Sequence, residues 1–198
     1  MIQFLADKTA YFLAKDDDAA DIDVLSYGYY IIFQEWFVRI VALLVALPFG
    51  LFFHVLVSIV IFNVIRSSAM GVHARYPIVC KIITYIVWFG PAVLAVFFQM
   101  NFTPIIVIGL YIFGLVSLVL YAPAETNNKK VPTVQMHKRL KLESVAILSG
   151  VFMIAFLMQG ILPDISFVMI LTIVLACFMV HPWVYWVNGF DPVTREER

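Results

Sequence analysis

Six apolar segments, near 28–47, 49–65, 82–100, 103–121, 143–160 and 163–187, constrain this chain more than any other feature. Each is close to the ~20 residues with which a helix crosses the ~30 Å hydrocarbon core of a bilayer. Turn-forming residues break the runs: Pro48 and Gly50, Asn101 and Pro104, Gly160 and Pro163. The expected fold is all-α, a polytopic membrane protein with about six transmembrane helices in a single transmembrane domain, 1–198. Composition agrees, since 13% of the residues are charged where a soluble domain has about a quarter. Basic and acidic residues number 13 each, so the charge balance gives no reason to expect nucleic acid as a partner.

Ahead of the first span, residues 1–14 place Ile2, Leu5, Thr9, Phe12 and Leu13 on one helical face, with Gln3, Asp7 and Lys8 elsewhere. That pattern predicts an N-terminal amphipathic interfacial helix lying in the membrane plane. Its lack of a basic n-region argues against a secretory signal peptide. The acidic stretch with Asp16, Asp17, Asp18, Asp21 and Asp23 reads as a solvated linker. No cleavable signal, with many Phe and Ile, fits a bacterial plasma membrane.

Loop charges predict the orientation. The loop after the second span carries Arg66, Arg75 and Lys81 with no acid. The loop after the fourth carries Lys129, Lys130, Lys138, Arg139 and Lys141 against Glu125 and Glu143. The turns after the first and third spans are uncharged, and the turn after the fifth has only Asp164. Basic loops stay in the cytoplasm, so both termini and both basic loops are expected inside.

One basic loop holds the stretch 67–80, SSAMGVHARYPIVC, with one of two cysteines and one of four histidines. A cysteine nucleophile needs a base that takes and returns a proton, and His73 is the natural choice. On a straight helix, positions seven apart lie ~10.5 Å apart along the axis, and Pro77 opposes a continuous helix across them. If Pro77 instead opens the third span, Cys80 falls in its first turn, where the helix dipole favours a negatively charged sulfur. His73 on the preceding loop can then fold back towards Cys80, with Gly71 allowing that path. The plain alternative is a packed cysteine and a snorkelling histidine. A second alternative is a Cys2His2 zinc site with Cys177 and His181.

Glu35 and Arg39, beside Gln34, lie one helical turn apart in the first span. They read as a self-neutralising pair, or Glu35 or Gln34 orients His73; Asn63, Ser67 and Ser68 compete for that role. His54, Gln99 and Gln159 read as groups that hydrogen-bond between helices. Trp183, Tyr185 and Trp186 read as an interfacial aromatic belt.

Two blocks are familiar. Gly71-Val72-His73-Ala74 followed by Cys80, with Arg66 upstream, resembles the signature of the accessory gene regulator B (AgrB) family. Tyr121-Ala122-Pro123-Ala124-Glu125-Thr126-Asn127-Asn128-Lys129-Lys130 resembles the family's Tyr-Ala-Pro block leading to lysines and a proline, here Pro132. The basic run 137–141 is similar too, and the resemblance covers nearly the whole chain. It departs at Met70-Gly71-Val72, where many members carry paired glycines.

The resemblance implies a quorum-sensing membrane endopeptidase of Gram-positive bacteria. It would cut the C-terminal tail from an AgrD-type precursor peptide and help to cyclise the rest into a thiolactone or lactone autoinducing peptide. Carried onto this chain, it makes Cys80 the nucleophile and His73 its base, with a homodimer and no metal or other cofactor. The cations Lys129, Lys130, Lys138, Arg139 and Lys141 are then expected to bind the acidic tail of the precursor, or else simply to anchor the loop on lipid headgroups. The competing function is a small membrane peptide transporter or exporter. That reading asks for polar residues near the midplane of several spans, and only the first span is notably charged.

Overall fold

A computed structural model of the chain describes residues 2–14, 21–71, 77–125 and 133–187. They form helices α1 (Ile2–Ala14), α2 (Ile22–Ala46), α3 (Phe52–Ala69), α4 (Pro77–Phe97), α5 (Pro104–Tyr121), α6 (Val134–Met158), α7 (Pro163–Phe178) and α8 (Pro182–Val187). The chain divides into two compact units, Met1–Gly50 and Leu51–Arg198. Among the described residues, five helices are long and apolar enough to cross a membrane: Ile22–Phe49, Phe52–Ala69, Ile78–Phe97, Pro104–Tyr121 and Val134–Met158. The protein is an all-α, multi-pass membrane protein.

In the first unit, α1 packs against α2, and its buried residues are Ala6, Ala10 and Ala14. Alanines four apart form a flat stripe that lets two helices approach closely. Gln3 Nε2 and the Asp7 carboxylate both hydrogen-bond Ser26 of α2. The bulky residues Phe4, Leu5, Tyr11, Phe12 and Leu13 are left exposed, as a helix seated in an interface requires. Asp21 is more than solvated linker. Its side chain accepts from the N–H groups of Asp23 and Val24 at 3.1 and 3.3 Å, capping two donors at the start of α2. The end of α2 tightens into a 3₁₀ turn, Leu47–Phe49, which Gly50 closes at φ 70°.

The second unit is built around α7, which packs against α3, α4, α5 and α6. Phe167, Val168, Ile170, Ile173 and Cys177 are all buried, so the helix is apolar and largely enclosed, as a core helix is. Its 16 residues rise about 24 Å, short of the ~30 Å core. The sixth apolar segment, expected over 163–187, is therefore two helices, divided at residues 179–181 by a turn that ends at Pro182. Proline disfavours helical backbone in the residue before it. Helix α5 is the most apolar span, and exposes Ile105, Ile108 and Ile112, the pattern of a lipid-facing helix. Gly114 on α5 makes room for Leu148 Cδ1, which lies 3.0 Å from where a Cβ would stand, and for Cys177 Sγ at 3.6 Å.

Helix α6 starts nine residues before the span expected near 143–160. Thr133 Oγ1 accepts the Met136 N–H at 3.2 Å, which caps the helix there. Lys138, Arg139 and Lys141 consequently ride on helical turns and not on a loop.

Helices α3 to α7 run alternately up and down, which gives the unit two ends. At one end His54 Nε2 lies 2.8 Å from Asp164 Oδ2, and Gln159 Nε2 donates to the Phe102 carbonyl at 3.1 Å. Both are the inter-helix contacts expected of His54 and Gln159. Gln99 instead sits at φ 49°, its carbonyl accepting from Asn101 Nδ2 at 3.3 Å. Midway, Thr172 Oγ1 donates to Ser58 Oγ at 3.1 Å. The other end carries the candidate site.

Candidate active site

Helix α3 stops at Ala69, and the chain then turns sharply. Met70 adopts φ 61°, ψ −130°, and Gly71 adopts φ 119°. The turn is held from both sides. Met70 forms an isolated parallel bridge with Ala124, and the Ala124 N–H donates to the Ala69 carbonyl at 3.0 Å. On the other side Arg66 Nη2 donates to the Gly71 carbonyl at 3.4 Å, and Nη1 reaches Met179 Sδ at 3.7 Å. The Arg66 guanidinium also lies 5.4 Å from the centre of the Phe62 ring.

The segment Tyr121 to Glu125 is anchored in turn. The Ala122–Pro123 peptide is cis. Tyr185 of α8 is fully buried, and its hydroxyl donates to the Ala124 carbonyl at 2.8 Å. The Tyr121 ring packs edge-on against His181, with centroids 4.9 Å apart. Glu125 is buried, with Oε1 3.4 Å from His137 Nε2 on α6. The two sequence blocks centred on 71 and 123 are thus joined directly, and the last helix clamps the junction.

From this end α4 departs. It opens on Pro77 and carries Cys80 in its first turn, partly exposed. The Cys80 carbonyl accepts from Thr84 Oγ1 at 2.8 Å. Ile78 and Val79 beside it are exposed. At a helix start the Cα–Cβ bonds tilt towards the N-terminus, so the thiol leans towards the positive end of the helix dipole. Further along, Ala95 of α4 packs with Phe167 and Val168 of α7, which seats the helix in the core.

The other candidates sort as follows. His73, Lys129 and Lys130 lie outside the described residues. Lys138 is exposed and Lys141 half-buried; Arg139 pairs with Glu143 at 2.7 Å. In the first unit, Glu35 pairs with Arg39 at 2.8 Å, the self-neutralising arrangement, and Gln34 is half-buried. Asn63 Nδ2 donates to the Ile59 carbonyl at 2.6 Å and Ser67 Oγ to the Val64 carbonyl at 2.8 Å, so both bond within their own helix. Ser68 does the same with Ile65. Cys177 faces Gly114 and His181 faces Tyr121. Among the described residues no three His, Cys, Asp or Glu side chains converge. Trp183 and Trp186 are exposed as belt residues are, but Tyr185 is not one of them. Sequence reasoning missed the roles of Tyr185, His181 and Glu125, because no spacing in the chain signals a contact between 124 and 185.

The family model described as accessory gene regulator B matches residues 6–180. An accessory gene regulator protein B of Staphylococcus aureus strain JH9 is 30% identical over 141 residues, covering 70% of this chain and 74% of that protein. An AgrB-like protein of Clostridium perfringens strain SM101 is 25% identical over 186 residues, 91% of this chain and 86% of the relative. A second AgrB-like protein, from C. perfringens strain 13, is 28% identical over 152 residues, 74% and 70% of the two chains. No solved structure matches.

Proposed function

Because this chain belongs to the accessory gene regulator B family, which processes AgrD-type precursor peptides for quorum sensing, we propose that it is a cysteine endopeptidase with Cys80 as nucleophile and His73 as base. The observation that carries the reading is the junction of the two sequence blocks, Met70 bridged to Ala124, at the end of the unit where α4 begins with Cys80 in its first turn.

His73 takes the thiol proton as the Cys80 sulfur attacks the scissile carbonyl. The C–N bond then breaks, the proton passes to the leaving amine of the tail, and a thioester remains on Cys80. A thiol or hydroxyl inside the precursor attacks that thioester, gives its proton to His73, and closes a thiolactone or lactone as the Cys80 thiolate leaves and is reprotonated. Because that nucleophile is tethered, its effective concentration outcompetes water. A site at the bilayer surface limits water further. Backbone N–H groups around Val79 to Lys81 serve the developing oxyanion. The chemistry asks for no metal or cofactor.

Lys129, Lys130, Lys138, Arg139 and Lys141 bind the acidic tail of the precursor on the face that carries Cys80. That face is cytoplasmic, where thiols stay reduced, and the working form is a homodimer in the plasma membrane. The test is co-expression with a precursor peptide and mass spectrometry of the products. Cys80→Ala and His73→Ala should each abolish cleavage while the protein still inserts. Parent-like cleavage by either variant removes the dyad.

A further inference from the structure

The proposed chemistry makes no use of Glu125 and His137, although their contact is the most buried acid–imidazole pair described. Glu125 is only 6% exposed. A carboxylate withdrawn from water to that degree is costly unless it is paired, and its Oε1 has His137 Nε2 at 3.4 Å. The two residues belong to different parts of the site. Glu125 directly follows Ala124, which is bridged to Met70 and held by the Tyr185 hydroxyl, so it is fixed to the segment that leads towards α4. His137 lies in the first turn of α6, immediately before Lys138 and Arg139, and one turn before Lys141 on the same helical face. Thr133 also caps the start of α6, a contact within the helix that shapes it locally.

We propose that Glu125 and His137 are a positioning pair that sets tail specificity: their contact holds the cation-bearing turns of α6 in register with the Met70 turn that ends α3, so that a precursor gripped by its acidic tail presents its scissile bond to Cys80. This rests on the reading of Cys80 and the cations given above. Neither residue touches the reacting atoms. Losing the contact leaves α6 and α4 packed on α7 but loosens the first turns of α6, which carry the cations. The penalty then falls on substrates that use both, namely precursors with an acidic tail.

The test uses the full chain reconstituted in lipid vesicles and two synthetic precursors, identical except that one tail is acidic and the other has its acids replaced by Gln. Glu125→Gln, His137→Gln and the double variant are compared with the parent, and thermal unfolding checks that each is folded. Each single variant should raise KM for the acidic-tail precursor roughly 3- to 10-fold, the scale of one ordinary polar contact. Values of kcat, and of KM for the neutral-tail precursor, should stay within about twofold of the parent. The double variant should be no worse than the poorer single one, since both remove one contact. Thr133→Ala, which loses the cap and keeps the pair, should lower stability without splitting the two substrates. The proposal is overturned if the variants lose both substrates in parallel, or if they discriminate between tails as strongly as the parent does. It also falls if the parent itself shows no tail preference; that result would leave the Cys80 chemistry standing, because Cys80→Ala judges the chemistry separately.

Discussion

Met70 is held at φ 61°, ψ −130°, a region that costs a residue with a side chain on the order of 1–3 kcal/mol. The strain has an identifiable cause. The chain must leave α3 abruptly to bridge Ala124, and Gly71 at φ 119° completes the turn. Replacing Met70 by Ala removes the side chain and keeps the strain, whereas Gly removes both. At an ordinary site Gly is the less stable of the two by roughly 0.4–1 kcal/mol, through the entropy of the unfolded chain. Here the order should invert, with Met70→Gly more stable than Met70→Ala by about 1 kcal/mol, read from thermal unfolding in detergent. If Ala proves the more stable, Met70 carries no strain. The turn was partly legible in advance, because the departure from paired glycines falls in this stretch. The place of Cys80 in the first turn of α4 was legible, since Pro77 favours the first position of a helix. Glu125 was not legible. A lone acid among lysines looks like a solvated charge, and only the fold of 121–125 against α3 buries it.

Helix starts were read less well than helix existence, for one physical reason. Hydropathy reports where lipid contact begins, while caps decide where a helix begins, and in α6 the two differ by nine residues because Thr133 caps a polar amphipathic stretch. The break in 163–187 was invisible for a related reason. The run is apolar throughout, and the break follows from α7 being enclosed and from Pro182 beginning a separate helix. That short helix α8 is the clamp on the junction, through the Tyr185 hydroxyl on the Ala124 carbonyl at 2.8 Å. Tyr185→Phe should lower stability by about 1 kcal/mol, the net value of a typical hydrogen bond, and should weaken cleavage through loosening of 121–125. A melting temperature and cleavage rate equal to the parent's would show that the clamp rests on ring packing alone.

At the scale of the whole molecule the charges are sorted between the two ends of the second unit. Arg66, Lys81, Lys138, Arg139 and Lys141 all lie at the end where α3 and α5 finish and α4 and α6 start. At the opposite end, residues 98–103 and 159–162 carry no charge, and Asp164 is paired with His54. Cationic loops resist translocation and are drawn to anionic lipid, at about 1 kcal/mol per charge near the surface. The end bearing Cys80 should therefore face the cytoplasm. Single cysteines placed on a Cys80→Ala, Cys177→Ala background would report this. Asn101→Cys, in the turn between α4 and α5, should react with a membrane-impermeant thiol reagent added to intact cells. Gln135→Cys, exposed in the first turn of α6, should react only after the membrane is opened. The two sites lie at opposite ends of the same unit, so one orientation predicts opposite results for them and each controls for reagent access at the other. Labelling of Gln135→Cys but not Asn101→Cys in intact cells would put Cys80 outside the cell, in an oxidising compartment, and the precursor would then have to be processed after export.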